Sequence, residues 1–477
     1  MSTLLEPDIC VVGGGAGGLA VASAAAQLGA KVVLVERSLL GGDNLHRGTI
    51  ASKALIAAAR QAYRPRTAKP FGLTPAALGI NHRTIAEHVQ SVVASVGRSE
   101  SVERLAGYGV QVIRAAGKFE SKELLAAGDA RIAARNYVIA TGSSPEIPAI
   151  QGLDRVGFLT NESLFAAAAR FDSLLVLGDS GVALELAQAY VRLGSRVTVL
   201  ARGRMLPEYD PEVTSPLLTR LREEGVVLAE GVSVTSAGPR EGGGVRLIVD
   251  TKEHTTETVD GSHLLIMGAR RPNVDGLGLE AAGIKMSPTG IRVSRGMRTS
   301  NGRVYAIGDV TGGPPYASLA RHHAAIVLSR LVSGAPSVPL RSVVPLVTFT
   351  DPELAHMGLS ERQARERLGR MVRVLRWPFS ENDRAIAERR PEGYVKVIAG
   401  PTGRILGCTI VGESAGELIQ AWSLAVSSGL TVGAVARSLA PYPTLAETSV
   451  RAAQGYTLRR AATSVVEGTL RLLWRFG

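Results

Sequence analysis

Two glycine-rich turns carry the most specific chemistry in this 477-residue chain. Gly13, Gly15 and Gly18 have G-x-G-x-x-G spacing, set between a strand-like run from Asp8 to Val12 and an Ala-rich helix reading from Leu19 to Leu28. In such a turn the first glycine permits the tight bend and the second lets the backbone approach a pyrophosphate. The third allows helix and strand to pack closely. The helix N-terminus then offers its positive dipole end to the phosphates. Lys31 to Val35 reads as the next strand and ends at Glu36, an acid placed to bind a ribose hydroxyl. A second copy begins at Ser173, where the strand Leu174 to Leu177 leads into Gly178-Asp179-Ser180-Gly181-Val182-Ala183. Ser180 and Ala183 stand there for the second and third glycines. Glu36 lies 23 residues after Gly13, and the same offset from Gly178 falls on Ala201, followed by Arg202 and Arg204. Losing the carboxylate and gaining two guanidinium forks is the expected way to accept a 2′-phosphate. NADPH is therefore expected over NADH, with NADH still open; the plain alternative is a pair of solvated arginines.

Between the two turns lies Gly41-Gly42-Asp43-Asn44-Leu45-His46-Arg47-Gly48-Thr49-Ile50-Ala51-Ser52-Lys53. It resembles the segment GG-x-C-x-x-x-G-C-x-P-S-K of the FAD-dependent pyridine nucleotide–disulfide oxidoreductases, the family of lipoamide dehydrogenase, glutathione reductase and mercuric reductase. The resemblance continues in Val138-Ile139-Ala140-Thr141-Gly142-Ser143-Ser144-Pro145, similar to the A-T-G-x-x-P turn where the chain leaves the FAD domain. It continues again in Gly268-Ala269-Arg270-Arg271-Pro272-Asn273 and in Tyr305-Ala306-Ile307-Gly308-Asp309. By that resemblance Thr141 and Gly142 belong to the cofactor-binding turn, and Asp309 hydrogen-bonds the ribityl chain of FAD. Lys53 and Glu185 are implied to pair near the reactive edge of the flavin. A cation there stabilises negative charge on the reduced ring, and the carboxylate orients it. A solvated surface salt bridge is the alternative for this pair.

Two departures bear on the reaction. The redox cysteines of the family fall here on Asn44 and Thr49, and neither side chain can form a disulfide or a thiolate. The family motif H-x-H-P-T-x-x-E, which supplies an acid–base pair to the partner subunit's site, reads Ala440-Pro441-Tyr442-Pro443-Thr444-Leu445-Ala446-Glu447. Tyr442 stands at the position of the catalytic histidine, where mercuric reductase is similar to it, and Glu447 remains. A phenol near pKa ~10 shuttles protons poorly at neutral pH, where an imidazole does so well. His46 and Arg47 lie between the two altered cysteine positions. Turned inward, with Tyr442 from a partner chain, Asn44, His46, Arg47 and Thr49 could line a substrate pocket for a carbonyl, quinone or anion. Turned outward, His46 and Arg47 sit on a solvated helical turn.

These residues need three cores to position them, which the chain length allows. The expected fold is α/β: two Rossmann-like dinucleotide-binding domains plus a C-terminal α+β dimerisation domain. Residues 1–150 and 275–340 are expected to form a split FAD-binding domain around an NAD(P)H-binding domain at 151–274, with the dimerisation domain at 341–477. Strands are expected at Val395 to Val397 and Arg404 to Val411, and a helix from Ala415 to Ser428. Hydrophobic content of 45% and charged content of 20% suit a globular protein. Net charge is +12, but aromatics are only 4% and no basic run is interleaved with them, so nucleic acid is not an expected partner. Cys10 and Cys408, the only cysteines, each sit in an apolar run and read as buried hydrophobes. Ile9-Cys10-Val11-Val12 reads as a buried strand rather than a signal peptide, and no apolar run reaches about 18 residues, so a cytoplasmic location is expected. The terminal segment Ser464 to Phe476 reads as a basic amphipathic helix with a Trp. It could rest on an anionic bilayer as a peripheral contact, pack on its own domain, or fray.

The leading expectation is an FAD enzyme in which NADPH reduces the flavin and the flavin reduces a quinone-like or other small organic electron acceptor, within a homodimer and with no thiol relay. A biosynthetic flavin enzyme acting on a specialised metabolite is a second reading. An FAD-binding pseudoenzyme serving as redox sensor or scaffold is a third. No metal site is expected.

Overall fold

The structure, a computed structural model, describes residues 3–74, 79–167, 170–333 and 344–461. Uninterrupted apolar runs become strands covered on both faces, as parallel sheets require. The first sheet is parallel and five-stranded, in the order Val304–Ala306, Asn136–Ile139, Ile9–Val12, Val32–Val35, Val110–Ile113. Its nearest helix, Ala16–Gln27, begins three residues before the sequence reading placed it, so Gly17 and Gly18 are already helical. Small residues are needed there because a Cβ on Gly18 would lie 1.9 Å from the carbonyl oxygen of Gly13. Gly13 itself has φ +108° and passes so close to Ala140 that a Cβ would meet its carbonyl oxygen at 2.4 Å. The third glycine thus serves packing and the first serves the turn.

A second parallel sheet runs in the order Phe158–Leu159, His263–Ile266, Ser173–Leu177, Arg196–Ala201, Val227–Glu230. The chain passes from the first sheet to the second and back through a short antiparallel ribbon, Ser143–Pro145 against Arg270–Pro272. Thr141 and Asn273 tie the two passages, the Thr141 hydroxyl donating to the Asn273 carbonyl at 2.7 Å and the Asn273 amide to the Thr141 carbonyl at 2.9 Å. A third sheet, antiparallel throughout, orders Leu346–Thr348, Glu353–Gly358, Ile405–Gly412, Tyr394–Ala399, Arg373–Pro378. Tyr394–Ala399 is longer than the expected strand because Tyr394, Ile398 and Ala399 at its ends also pair with both neighbouring strands. The buried ammonium of Lys396 is enclosed by Asp210, Glu212 and Glu361. The helix Ala415–Ser427 crosses this sheet close to its expected span.

The largest core ignores the order of the sequence. Leu45, Ala51, Leu55 and Ala59 from the segment following the first turn pack with Leu184, Leu186 and Ala187, and with Leu354 and Val411 of the third sheet. The helix Thr49–Tyr63 therefore lies against Gly181–Arg192 as well as against its neighbour His82–Gly97. That docking is what brings the two halves of the site together.

Candidate functional site

A large cavity of about 1180 Å³ lies between the sheets, above the roughly 300–1,000 Å³ of ordinary small-molecule sites and roomy enough for more than one ligand. One end is lined by Gly13, Gly15, Glu36, Thr141, Gly142 and Asp309, the other by Ser180, Gly181, Glu185 and Met267. Gly15 has no neighbour within 4 Å of where a Cβ would point, leaving its backbone open to a ligand. Glu36 accepts hydrogen bonds from the backbone of Gly14 at 2.6 Å and Ser38 at 2.7 Å, which fixes its carboxylate at the rim. The donor set, the open backbone at Gly15 and the cavity volume fit a dinucleotide such as FAD. On the second turn Ser180 caps the helix Gly181–Arg192, accepting from the backbone of Ala183 at 3.4 Å, while Ala183 is buried and Gly178 packs against the Met267 carbonyl. The exposed backbone at that helix N-terminus suits a second phosphate group.

Lys53 and Glu185 meet in the cavity wall. Nζ of Lys53 lies 2.6 Å from Oε2 of Glu185, whose side chain is 1% exposed against 28% for the lysine. The other carboxylate oxygen accepts the backbone N–H of Phe349 at 2.7 Å, and the ring of Phe349 faces the ammonium at 4.5 Å. This is not a solvated surface pair. Asn44, His46, Arg47 and Thr49 all line the same cavity. His46 turns its Nε2 to the carbonyl of Leu40 at 2.8 Å, and Arg47 reaches Glu162 at 3.4 Å, so both are partly committed within the chain. Cys10 and Cys408 lie fully buried in the first and third sheets, and burial pushes both thiols up.

Other expected residues stand apart from the cavity. Arg202 is exposed beside the second turn, whereas Arg204 donates to the carbonyls of Tyr209 at 2.7 Å and Pro207 at 3.3 Å. Its remaining terminal nitrogen is buried without a partner among the described residues, and Arg204 does not line the cavity. Tyr442 is 71% exposed and its hydroxyl donates to Asp383 at 2.8 Å. Glu447 starts the helix Glu447–Ala461 and pairs with Arg451 rather than with Tyr442. The segment Ser464 to Phe476 lies outside the described residues. No helix among those described is long and apolar enough to cross a membrane.

Five residues of the site were given no role by the sequence reading. Arg270 bonds the carboxylate of Asp43 and donates to the Ser143 hydroxyl at 2.8 Å and carbonyl at 2.7 Å. Ser143 in turn donates to Asp309 at 2.7 Å, linking the helix Gly42–His46 to the ribbon and to the expected ribityl carboxylate. Burial raises the carboxyl of Asp309 above its ordinary range, with Asp43 adding to the rise while Ser143 and Arg270 oppose it. Burial likewise holds His323 at about 4, so its neutral ring accepts the backbone N–H of Gly308 beneath Asp309. The only available signal was that Asp43, Ser143 and Arg270 fall inside motif segments. Phe349 opens the segment Phe349-Thr350-Asp351-Pro352-Glu353, which resembles the dimerisation domain of the family, but nothing in it pointed to the site.

Residues 7–324 match the pyridine nucleotide-disulphide oxidoreductase family, and residues 344–453 match its dimerisation domain. Mercuric reductase of Streptomyces lividans is 35% identical over 470 residues, covering 97% of this chain and 98% of that protein. Dihydrolipoyl dehydrogenase of Geobacillus stearothermophilus is 33% identical, covering 94% and 96%. The HOCl-induced flavoprotein disulfide reductase RclA from Escherichia coli shares the fold, with a TM-score of 0.83 at 24% identity over 94% of this chain and 99% of that one.

Proposed function

This chain belongs to the pyridine nucleotide-disulphide oxidoreductase family, whose enzymes depend on FAD and NAD(P)H, and from that premise we propose that it passes electrons from NADPH through FAD directly to a small organic acceptor such as a quinone, with no thiol relay. The single observation behind this reading is the intact pair of a half-buried Lys53 and a buried Glu185 in a cavity whose two cysteine positions hold Asn44 and Thr49. FAD, when bound, supplies a two-electron centre that takes hydride from a nicotinamide.

The residues of the chain would do the rest. Gly13, Gly15 and Glu36 hold the adenine-side phosphates and ribose, while Asp309 holds the ribityl chain through a carboxyl already set by Ser143. Lys53 keeps a positive charge at the cavity wall, and Glu185 prevents it from turning to solvent. Ser180 and Gly181 would present backbone to the nicotinamide nucleotide, with the exposed Arg202 available for a 2′-phosphate. In a homodimer, Tyr442 would be delivered to the partner's cavity, where its hydroxyl could orient an acceptor oxygen. The hydrogen bond to Asp383, with the negative charge of that carboxylate, keeps the phenol protonated by raising its pKa. Asn44 and Thr49 offer hydrogen bonds but no nucleophile, so a disulfide or mercuric substrate finds no thiolate there. A Lys53 held by the buried carboxylate of Glu185 in the cavity wall also favours an active enzyme over a scaffold.

The test is anaerobic addition of NADPH to the FAD-loaded protein, followed by a quinone. Bleaching of the flavin with no long-wavelength thiolate–flavin band, then reoxidation by the quinone, is expected. Appearance of that band would overturn the direct route, and failure of NADPH to bleach the flavin would leave the chain a pseudoenzyme.

A further inference from the structure

The helix Gly181–Arg192 turns a polar edge toward the third sheet. Glu185, Gln188 and Arg192 are three and four residues apart, so they stack on one face. All three hold one short stretch of the C-terminal domain. Glu185 accepts the Phe349 N–H at 2.7 Å. Gln188 exchanges two bonds with the backbone of Asp351, accepting its N–H at 2.7 Å and donating to its carbonyl at 2.8 Å. One terminal nitrogen of Arg192 donates to the Asp351 carboxylate at 2.8 Å and to Glu224 at 2.6 Å, and its Nε donates to Glu224 at 2.7 Å. From the facing helix, Arg60 reaches the Thr350 carbonyl at 3.3 Å. A buried polar row is tolerated only when each member is paired, so this row fixes the register of residues 349–351 to within a hydrogen-bond length.

That register decides what Lys53 sees. Its ammonium has the Glu185 carboxylate on one side, the Ser52 hydroxyl at 3.4 Å, and the face of the Phe349 ring at 4.5 Å. A ring face attracts a partly desolvated cation through its quadrupole. We infer that Phe349 is a positioning residue for Lys53, its backbone N–H holding Glu185 and its ring face holding the ammonium, so that the C-terminal domain sets the charge at the cavity wall. This rests on the reading of Lys53 given above.

The experiment compares Phe349→Leu, Phe349→Tyr, a graded series of fluorinated phenylalanines at position 349, and Lys53→Met, all in the FAD-loaded protein. Two quantities are read: the limiting rate of flavin bleaching by NADPH and the flavin midpoint potential. Leucine keeps bulk and the N–H but removes the ring face. It should slow bleaching by about three- to thirtyfold, the range of a partly desolvated cation–π contact. Half-saturating NADPH should not change. The midpoint potential should fall, a tenfold change corresponding to about 30 mV for a two-electron couple. Tyrosine should restore both quantities. Fluorination, which withdraws charge from the ring face at nearly constant shape, should lower both in step with the number of fluorines, and it gives the answer even if the leucine protein does not fold. A flat rate and potential across the fluorinated series overturns the positioning role of Phe349. If Lys53→Met is slow while that series is flat, only this inference fails. If Lys53→Met bleaches as fast as the parent protein, the reading of Lys53 fails with it.

Discussion

Replacing Glu185 with glutamine keeps the shape of the side chain and removes one charge at the centre of the site. The amide oxygen can still accept the Phe349 N–H, but its NH₂ group then faces the Lys53 ammonium, which had been 2.6 Å from a carboxylate oxygen. At an effective dielectric constant of about 20, unit charges at that distance attract by roughly 6 kcal/mol, and the cost of burying them offsets a large part of it. Glu185 is 1% exposed, but Lys53 at 28% can swing out and rehydrate, which caps the loss. A net loss of about 1.5–3 kcal/mol in holding the ammonium at the wall follows, or roughly ten- to hundredfold in a rate that depends on it. The assay is anaerobic stopped-flow bleaching of the flavin by NADPH at saturation, with FAD content and thermal unfolding measured alongside. A bleaching rate within twofold of the parent protein, with fold and FAD content unchanged, would refute the argument that Glu185 acts by orienting Lys53.

Three further outcomes are expected. Arg202→Ala should raise the concentration of NADPH needed for half-maximal bleaching about tenfold or more while leaving NADH unaffected, as loss of one charge-assisted phosphate contact implies; equal effects on both nucleotides would remove its 2′-phosphate role. Tyr442→Phe should leave bleaching by NADPH intact and slow reoxidation by 2-methyl-1,4-naphthoquinone, so an unchanged oxidative step counts against acceptor contact. The raised carboxyl of Asp309 makes the folded protein bind a proton more readily than the unfolded chain does. Its stability penalty is therefore absent below the ordinary carboxylate pKa and complete above the folded value. Asp309→Asn should raise the urea midpoint of the FAD-free protein at pH 7, with the gain disappearing in acid, while retention of FAD falls; no pH dependence in the difference would contradict this.

Much of the site was legible because nucleotide binding writes itself locally. The turn at Gly13 needs a positive φ and the contact at Gly18 excludes a Cβ, so residue type and spacing report the geometry directly. Glu36 was legible for a similar reason, since it closes the same strand–turn–helix–strand unit. The Phe349 contact was not, because nothing in a phenylalanine between strand residues announces which cation will approach its ring. Arg204 shows the converse limit: a guanidinium beside a nucleotide turn suggested phosphate, and the fold gives one of its nitrogens to the Tyr209 and Pro207 carbonyls.

By itself the sequence determined that two dinucleotide-type turns are present, that the chain has no cysteine at residues 44 and 49, and that Tyr442 stands where the family carries a histidine. Those are properties of residue identity and short spacing, which the backbone cannot alter. Only the tertiary structure decided that Lys53 and Glu185, 132 positions apart, share one ion pair, because that depends on the helix Thr49–Tyr63 docking against Gly181–Arg192 through a common apolar core. It also decided that the third sheet reaches into the site through Phe349, since Gln188 and Arg192, both buried, take partners from Asp351 as well as from Glu224. Apolar periodicity tells a helix which face to bury, but the partner for that face is chosen by the packing of the whole chain.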